Sequence, residues 1–167
     1  DRTIDFTGLH LSPGLVSAGT DLGLVEIAGV RASVDDRETG EFTPEVESWT
    51  AVNPDSELIP VSRANGITHF VPVPGGQLIS GTSGLLAAQG WTIEDMTTRR
   101  RTAMHLFWPN HALNVPGPNA DPKAKSLDEQ ARERQEKVRT IDQYFMDAEA
   151  WEKRPPGSPV VPAWEAM

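Results

Sequence analysis

The sequence predicts an α/β fold, and three observations predict it. A helical pattern from Asp55 or Ser56 to about Asn65 is followed by Gly66 and then by a β-branched run, Ile67-Thr68-His69-Phe70-Val71-Pro72-Val73. Helix, glycine, strand is half of a βαβ unit. A short apolar run, Leu15-Val16-Ser17-Ala18, ends in Gly19-Thr20-Asp21, the pattern of a buried strand whose C-terminal end opens onto a site. Residues 126–153 carry the period of one long amphipathic helix. With Gly 14 and Pro 14 in 167 residues, the chain has too many turns for a helical bundle.

Taken in order, residues 1–12 alternate weakly and read as a strand with a turn at Thr7-Gly8, and Pro13-Gly14 punctuates before the 15–18 strand. Residues 22–34 are apolar but interrupted by Gly23 and Gly29, which reads as loop and strand. Residues 35–56 are acidic and rich in turn formers. A helix then starts with Asp55 or Ser56 as cap, carries Pro60 early, and ends at about Asn65 with Gly66 at C′. Residues 74–90 hold two short apolar runs among Gly and Ser, which suggests a hairpin or a long loop. Trp91 to Met96 reads as one helical turn capped by Thr92, Thr97 to Phe107 as extended, and 109–122, with Pro109, Pro116, Pro118 and Pro122, as a surface loop. In the long helix, Ser126 and Glu129 form a capping-box pattern, and Leu127, Ala131, Val138, Ile141, Phe145 and Ala148 share one face. Residues 154–162 break it, and Ala163 to Met167 reads as the first turn of a further element, which suggests a chain cut short.

Composition narrows the function classes. The formal net charge is −9. The one basic cluster, Arg99-Arg100-Arg101, is flanked by Glu94 and Asp95 and reads as a solvated patch. A nucleic-acid partner is not expected, because phosphate binding needs a net basic surface. With Cys 0, disulfides, thiolate metal sites and a thiol nucleophile are excluded. No apolar run approaches the ~20 residues that span a bilayer, and no signal peptide is visible. The chain opens on Asp1, so the expectation is a soluble protein, secreted or periplasmic if a leader precedes it.

Candidate chemistry is sparse. His10, His69, His105 and His111 show no metal-ligand spacing; packed or hydrogen-bonded rings are expected for His69 and His105, and a surface position for His111. The stretch from Gly75 to Gly84 has glycines that could cradle a phosphate, but it lacks the lysine of a P-loop and the G-x-G-x-x-G order. Ser80 and Ser83 are not in a nucleophile elbow.

The phrase Pro13-Gly14-Leu15-Val16-Ser17-Ala18-Gly19-Thr20-Asp21 is the informative one. With the approach Gly8-Leu9-His10-Leu11-Ser12, it resembles the phrase P-G-[LF]-[IV]-D-x-H-x-H, which closes the N-terminal β-sandwich segment of the amidohydrolase superfamily and opens its barrel. Asn53-Pro54-Asp55-Ser56 through Thr68, Gly75-Gly76 to Ser83, and Gly90-Trp91-Thr92-Ile93-Glu94-Asp95-Met96 resemble successive segments of the imidazolonepropionase-like branch. The resemblance implies a partial (β/α)8 TIM-type barrel, with residues 1–12 a remnant of the β-sandwich and residues 13–167 the incomplete first part of the barrel. It implies a metal-dependent hydrolase of carbon–nitrogen bonds in amides or cyclic amides, with a divalent metal such as zinc in the parent family. There, histidines at i and i+2 of the first strand face one way and hold the metal at the barrel mouth, where it activates water and polarises the carbonyl.

In this chain those two positions are Gly19, which offers no ligand, and Asp21, which offers one carboxylate. Asp21 is the one candidate metal ligand or substrate contact; the alternative is that it caps the turn after the strand. The expected partners are a small amide-type substrate and the remainder of the barrel, and the fragment alone is expected to be inactive. A second reading is a non-catalytic relative with a degenerate, metal-free site, acting in binding or assembly. A third is a standalone α/β binding domain.

Overall fold

A computed structural model describes residues 3–76, 78–117 and 124–167. The architecture is mixed α/β, built on an open four-stranded mixed sheet. In chain order the elements are β1 (Leu15–Thr20), α1 (Leu58–Ala64), β2 (Ile67–Pro72), β3 (Ile79–Ala87), α2 (Ile93–Met96), β4 (Thr97–Leu106), α3 (Leu127–Glu152) and α4 (Pro162–Ala166). Strand order is β1-β2-β3-β4. The chain divides into two compact units. The first comprises Asp1–Asp36, Glu47–Pro74 and Ser83–Ala103; the second comprises Arg37–Val46, Gly75–Thr82 and Met104–Met167.

In the first unit, β1 pairs parallel with β2, with Leu15 opposite Ile67 and Thr20 opposite Pro72. A parallel pair needs a crossover, and the stretch from Asp21 to Gly66 supplies it with two 3-10 turns, Arg31–Ser33 and Ser48–Ala51, and α1. The predicted βαβ unit is therefore present. Helix α1 starts later than the sequence suggests. Asn53 Oδ1 accepts the Asp55 N–H at 3.1 Å and Ser56 Oγ accepts the Leu58 N–H at 3.3 Å, so the polar cluster shapes the approach turn and Pro60 still falls in the first helical turn, where a missing N–H costs little. Gly66 follows the helix at φ +91°, a conformation that favours glycine.

The barrel expectation needs correction: no closed barrel is present among the described residues, and the β/α alternation stops after β2. Residues 73–78 are too few for a parallel crossover, so β3 returns antiparallel, with His69 opposite Ala87 and Phe70 opposite Leu86. Where a hairpin or a long loop was expected within 74–90, a single nine-residue strand, Ile79–Ala87, forms instead. Its Gly and Ser content reflects burial, because all but two of its residues are buried. A Cβ on Gly84 would lie 2.9 Å from the Arg99 carbonyl oxygen and 3.1 Å from the Trp49 ring. Beneath this strand lies the core of the unit, formed by Leu22, Leu24, Trp49, Val52, Ile59, Phe70, Leu86, Ala88 and Met96.

Three further expectations change. The described part of 1–12 forms no strand; only the turn at Thr7-Gly8 is made, with the Asp5 carboxylate accepting the Thr7 N–H at 2.8 Å and its hydroxyl at 2.6 Å. The 22–34 stretch is turns with one isolated bridge, Val25 to Val34. Strand β1 is not buried: Leu15 is 64% and Val16 55% exposed, because it is the edge of the sheet. As expected, α2 is a single turn capped by Thr92, whose Oγ1 accepts the Asp95 N–H at 3.2 Å. Of the predicted loop 109–122, residues 109–117 are free of helix and strand; Pro118 and Pro122 lie outside the described residues.

In the second unit, α3 carries the predicted capping box in full. Its covered stripe is rotated from the predicted face. Ala131, Val138 and Ala148 are half-buried and Ile141 is buried, but Leu127 and Phe145 are exposed and Tyr144 is turned inward instead. The cause is aromatic. Tyr144 stacks on Phe42 with centroids 4.2 Å apart and meets the Trp164 ring of α4 at 4.6 Å. The final predicted turn is therefore real and docks on α3, with Arg154 bonded to Glu165 and lying over the Trp151 ring at 4.2 Å.

Gly84→Ala should lower unfolding stability by about 1–3 kcal/mol, the usual cost of overpacking. Urea unfolding followed by tryptophan fluorescence checks this, and an unchanged midpoint would contradict the close approach of Trp49.

Candidate functional site

The parallel pair brings the C-terminal ends of β1 and β2 to one place, and the strand tip is built there. The Val73 N–H donates to the Thr20 carbonyl at 2.8 Å. The buried Ser48 hydroxyl donates to the Pro72 carbonyl at 2.6 Å, tying the 3-10 turn Ser48–Ala51 to the end of β2. Buried carbonyls need such partners. Thr20 Oγ1 accepts the Leu22 N–H at 3.1 Å. The Asp21 carbonyl accepts the Leu24 and Val25 N–H groups at 2.9 and 3.0 Å.

Asp21 therefore holds the turn after β1 through its main chain, and its residue remains exposed. Gly19 is exposed as well, and the nearest atom to a Cβ built on it is Val73 Cγ2, at 3.4 Å. That is ordinary van der Waals contact, so the position has room for a side chain. A glycine and one exposed carboxylate do not by themselves make a metal site. Among the described residues, no group of three or more His, Asp or Glu is placed to hold a metal ion.

His10 and His111 are exposed, and the His111 carbonyl accepts from Arg134 Nη1 at 2.7 Å. His69 is half-buried in β2, with Nδ1 3.1 Å from Thr68 Oγ1. His105 is half-buried in β4, and burial holds its pKa below the ordinary 6.5, because a charged imidazole loses hydration there. The seryl and threonyl groups of the glycine-rich stretch are not offered to a phosphate. Ser80, Thr82 and Ser83 are buried in β3, and Thr82 Oγ1 donates to the Val46 carbonyl at 3.2 Å. In the basic cluster, Arg99 and Arg100 are exposed, whereas Arg101 pairs with Glu47 at 2.9 Å. Sequence reading missed the supporting roles of Thr20 and Ser48, since a lone hydroxyl next to a strand carries no spacing signal.

A hollow of about 550 Å3 in this unit lies along α1 and residues 88–96 and includes neither Gly19 nor Asp21 in its walls. Arg63 Nη1 crosses beneath it to the Ala88 carbonyl at 3.1 Å. The tip is therefore an open surface feature of this chain. No helix among the described residues is long and apolar enough to cross a membrane.

Comparison with solved structures finds an amidohydrolase from Thermotoga maritima MSB8 that this chain resembles with a TM-score of 0.62 at 18% identity. The match covers 99% of this chain and 46% of that one. The chain thus spans less than half the length of the protein it matches, and at this identity the likeness is one of fold. No protein-family model and no curated protein matches the chain.

The His105 environment gives a pH dependence with a definite sign. The unfolded chain takes up the imidazole proton more readily than the folded one, so stability rises with pH across the interval below 6.5 and is lost on acidification. His105→Gln should therefore show a smaller fall in urea midpoint between about pH 7.5 and 5.5 than the unaltered chain. Equal falls in the two proteins would refute the burial effect.

Proposed function

We propose that this chain is the N-terminal portion of an amidohydrolase-like protein, from a class that hydrolyses amide or cyclic-amide carbon–nitrogen bonds with a bound divalent metal such as zinc. Residues 1–12 are assigned to the remnant of a β-sandwich segment and residues 13–167 to the first part of the catalytic domain. The carrying observation is the parallel pairing of β1 with β2, which sets Gly19 and Asp21 at the shared C-terminal end of the two strands. The fold match, over 99% of this chain and 46% of an amidohydrolase, supports the same reading.

In this reading the chain does not complete a site. Asp21 is the group that could touch a metal or a substrate, and no catalytic step is assigned to residues 1–167. The substrate, a small amide-type molecule, and the remaining ligands belong with the rest of the parent protein.

One observation favours a second reading, a non-catalytic relative with a degenerate site serving binding or assembly. The two positions that hold histidines in the resembling phrase are Gly19 and Asp21. Metal analysis of the longer protein separates the two. The enzymatic reading requires bound metal, and less than ~0.1 metal per chain would end it.

A test within the chain itself probes the strand tip. Gly19→His with Asp21→His places two imidazoles at this end, where Gly19 has room for a side chain and Asp21 is exposed. Equilibrium dialysis should show zinc uptake by the double variant well above that of the unaltered chain, because paired imidazoles at i and i+2 converge on one ion. No gain in uptake would mean that positions 19 and 21 do not face together, and the proposed ancestry would lose its central support.

A further inference from the structure

A second place in the molecule has the makings of a binding site, and it owes nothing to the strand tip. In the second unit, the loop after β4 passes along α3 and leaves a hollow of about 690 Å3. That size lies within the roughly 300–1,000 Å3 of small-molecule sites. Its base is apolar, formed by the half-buried Ala131 and Val138 of α3. One wall is the Trp108 indole, 58% exposed. Arg132 and Arg134 stand at its rim, with Asp128 the one carboxylate on it. Among the lining residues, two guanidinium groups stand against one carboxylate, with Glu129 facing Arg132 from outside the lining.

The loop that carries the indole is anchored to α3 by hydrogen bonds. Arg134 Nη1 donates to the His111 carbonyl at 2.7 Å. Gln130 holds both backbone groups of Asn114: its Oε1 accepts the N–H at 2.8 Å and its Nε2 donates to the carbonyl at 2.9 Å. The backbone of the loop that carries the wall is thus held before any ligand arrives, which lowers the entropy lost on binding.

We propose that this hollow binds a planar aromatic carboxylate, its ring against Trp108 and its carboxylate on Arg132 and the outward edge of Arg134. A flat indole face selects a flat ring, and guanidinium forks select carboxylates. The hollow is too local a basic feature for a polyanion, whose many phosphates would meet the acidic remainder of the chain.

The probe is 2-naphthoate, titrated into the full chain and followed by the Trp108 indole N–H signal in NMR. Saturable binding with Kd of about 1 mM or below is expected for a ligand of this size. Arg132→Gln should weaken it about fivefold or more. Lys137→Gln, which alters a charge on the same helix outside this hollow, should leave it within about twofold. The neutral analogue naphthalene-2-carboxamide should bind about fivefold or more weakly. Trp108→Phe keeps a ring and should retain binding, whereas Trp108→Leu should lose it in a chain whose far-ultraviolet circular dichroism is unchanged. Absence of saturation by about 10 mM, equal weakening by the Arg132 and Lys137 variants, or equal affinity for the carboxamide would overturn the proposal.

Discussion

Parallel pairing of Leu15–Thr20 with Ile67–Pro72 is the constraint on which the first unit depends. Parallel neighbours cannot be joined by a tight turn, so everything between Asp21 and Gly66 exists as a crossover that must return to the start of β2. The polar groups along that path serve this purpose. The Asn53 N–H donates to the Gly23 carbonyl at 2.8 Å, and Ser48 ties the path to Pro72. Trp49 and Val52 fill the space between crossover and sheet. Because side chains from the crossover and from β3 share one buried cluster, Gly84 of β3 is set by how near Trp49 comes.

The two edges of the sheet are unlike in chemistry. Strand β4 shows three successive arginines, and Arg101 takes φ +49°, a local break in extended backbone. Charges and irregular backbone are the usual devices by which an edge discourages further pairing. Strand β1, Leu-Val-Ser-Ala-Gly-Thr, has no charge and no proline, and it exposes Leu15 and Val16. An edge so bare is costly to leave in water. In the proposed reading, the missing part of the parent protein is what would cover it.

Elements governed by local chemistry were legible in the sequence. The capping box at Ser126, the Thr92 cap, the Gly66 terminus and the Ile67–Pro72 strand each rest on residues within a turn of one another, and each is found in place. What was not legible came from distant partners. The β3 strand read as a hairpin or a long loop because its small residues answer to Trp49 and Val46, far away in sequence. The covered face of α3 was misjudged by one position because Tyr144 answers to Phe42 and Trp164. Strand β1 was read as buried because apolar residues say nothing about whether a neighbour strand is present. At the site, the identity of Gly19 and Asp21 was plain from sequence, but the main-chain role of Asp21 in the turn needed coordinates.

That main-chain role separates the shape of this tip from its side chains. The hydrogen bonds that shape the turn after β1 run from Leu24 and Val25 to the Asp21 carbonyl, and from Leu22 to the Thr20 hydroxyl. None uses the Asp21 carboxylate or anything at position 19. The backbone of the tip is therefore independent of what side chains stand at these two positions. Substitution at these two exposed positions should leave the fold intact, since changing exposed side chains away from caps and cores costs little stability. Fold and chemistry are separable at this strand end: the main chain builds the tip, and the side chains at 19 and 21 alone set what it can bind.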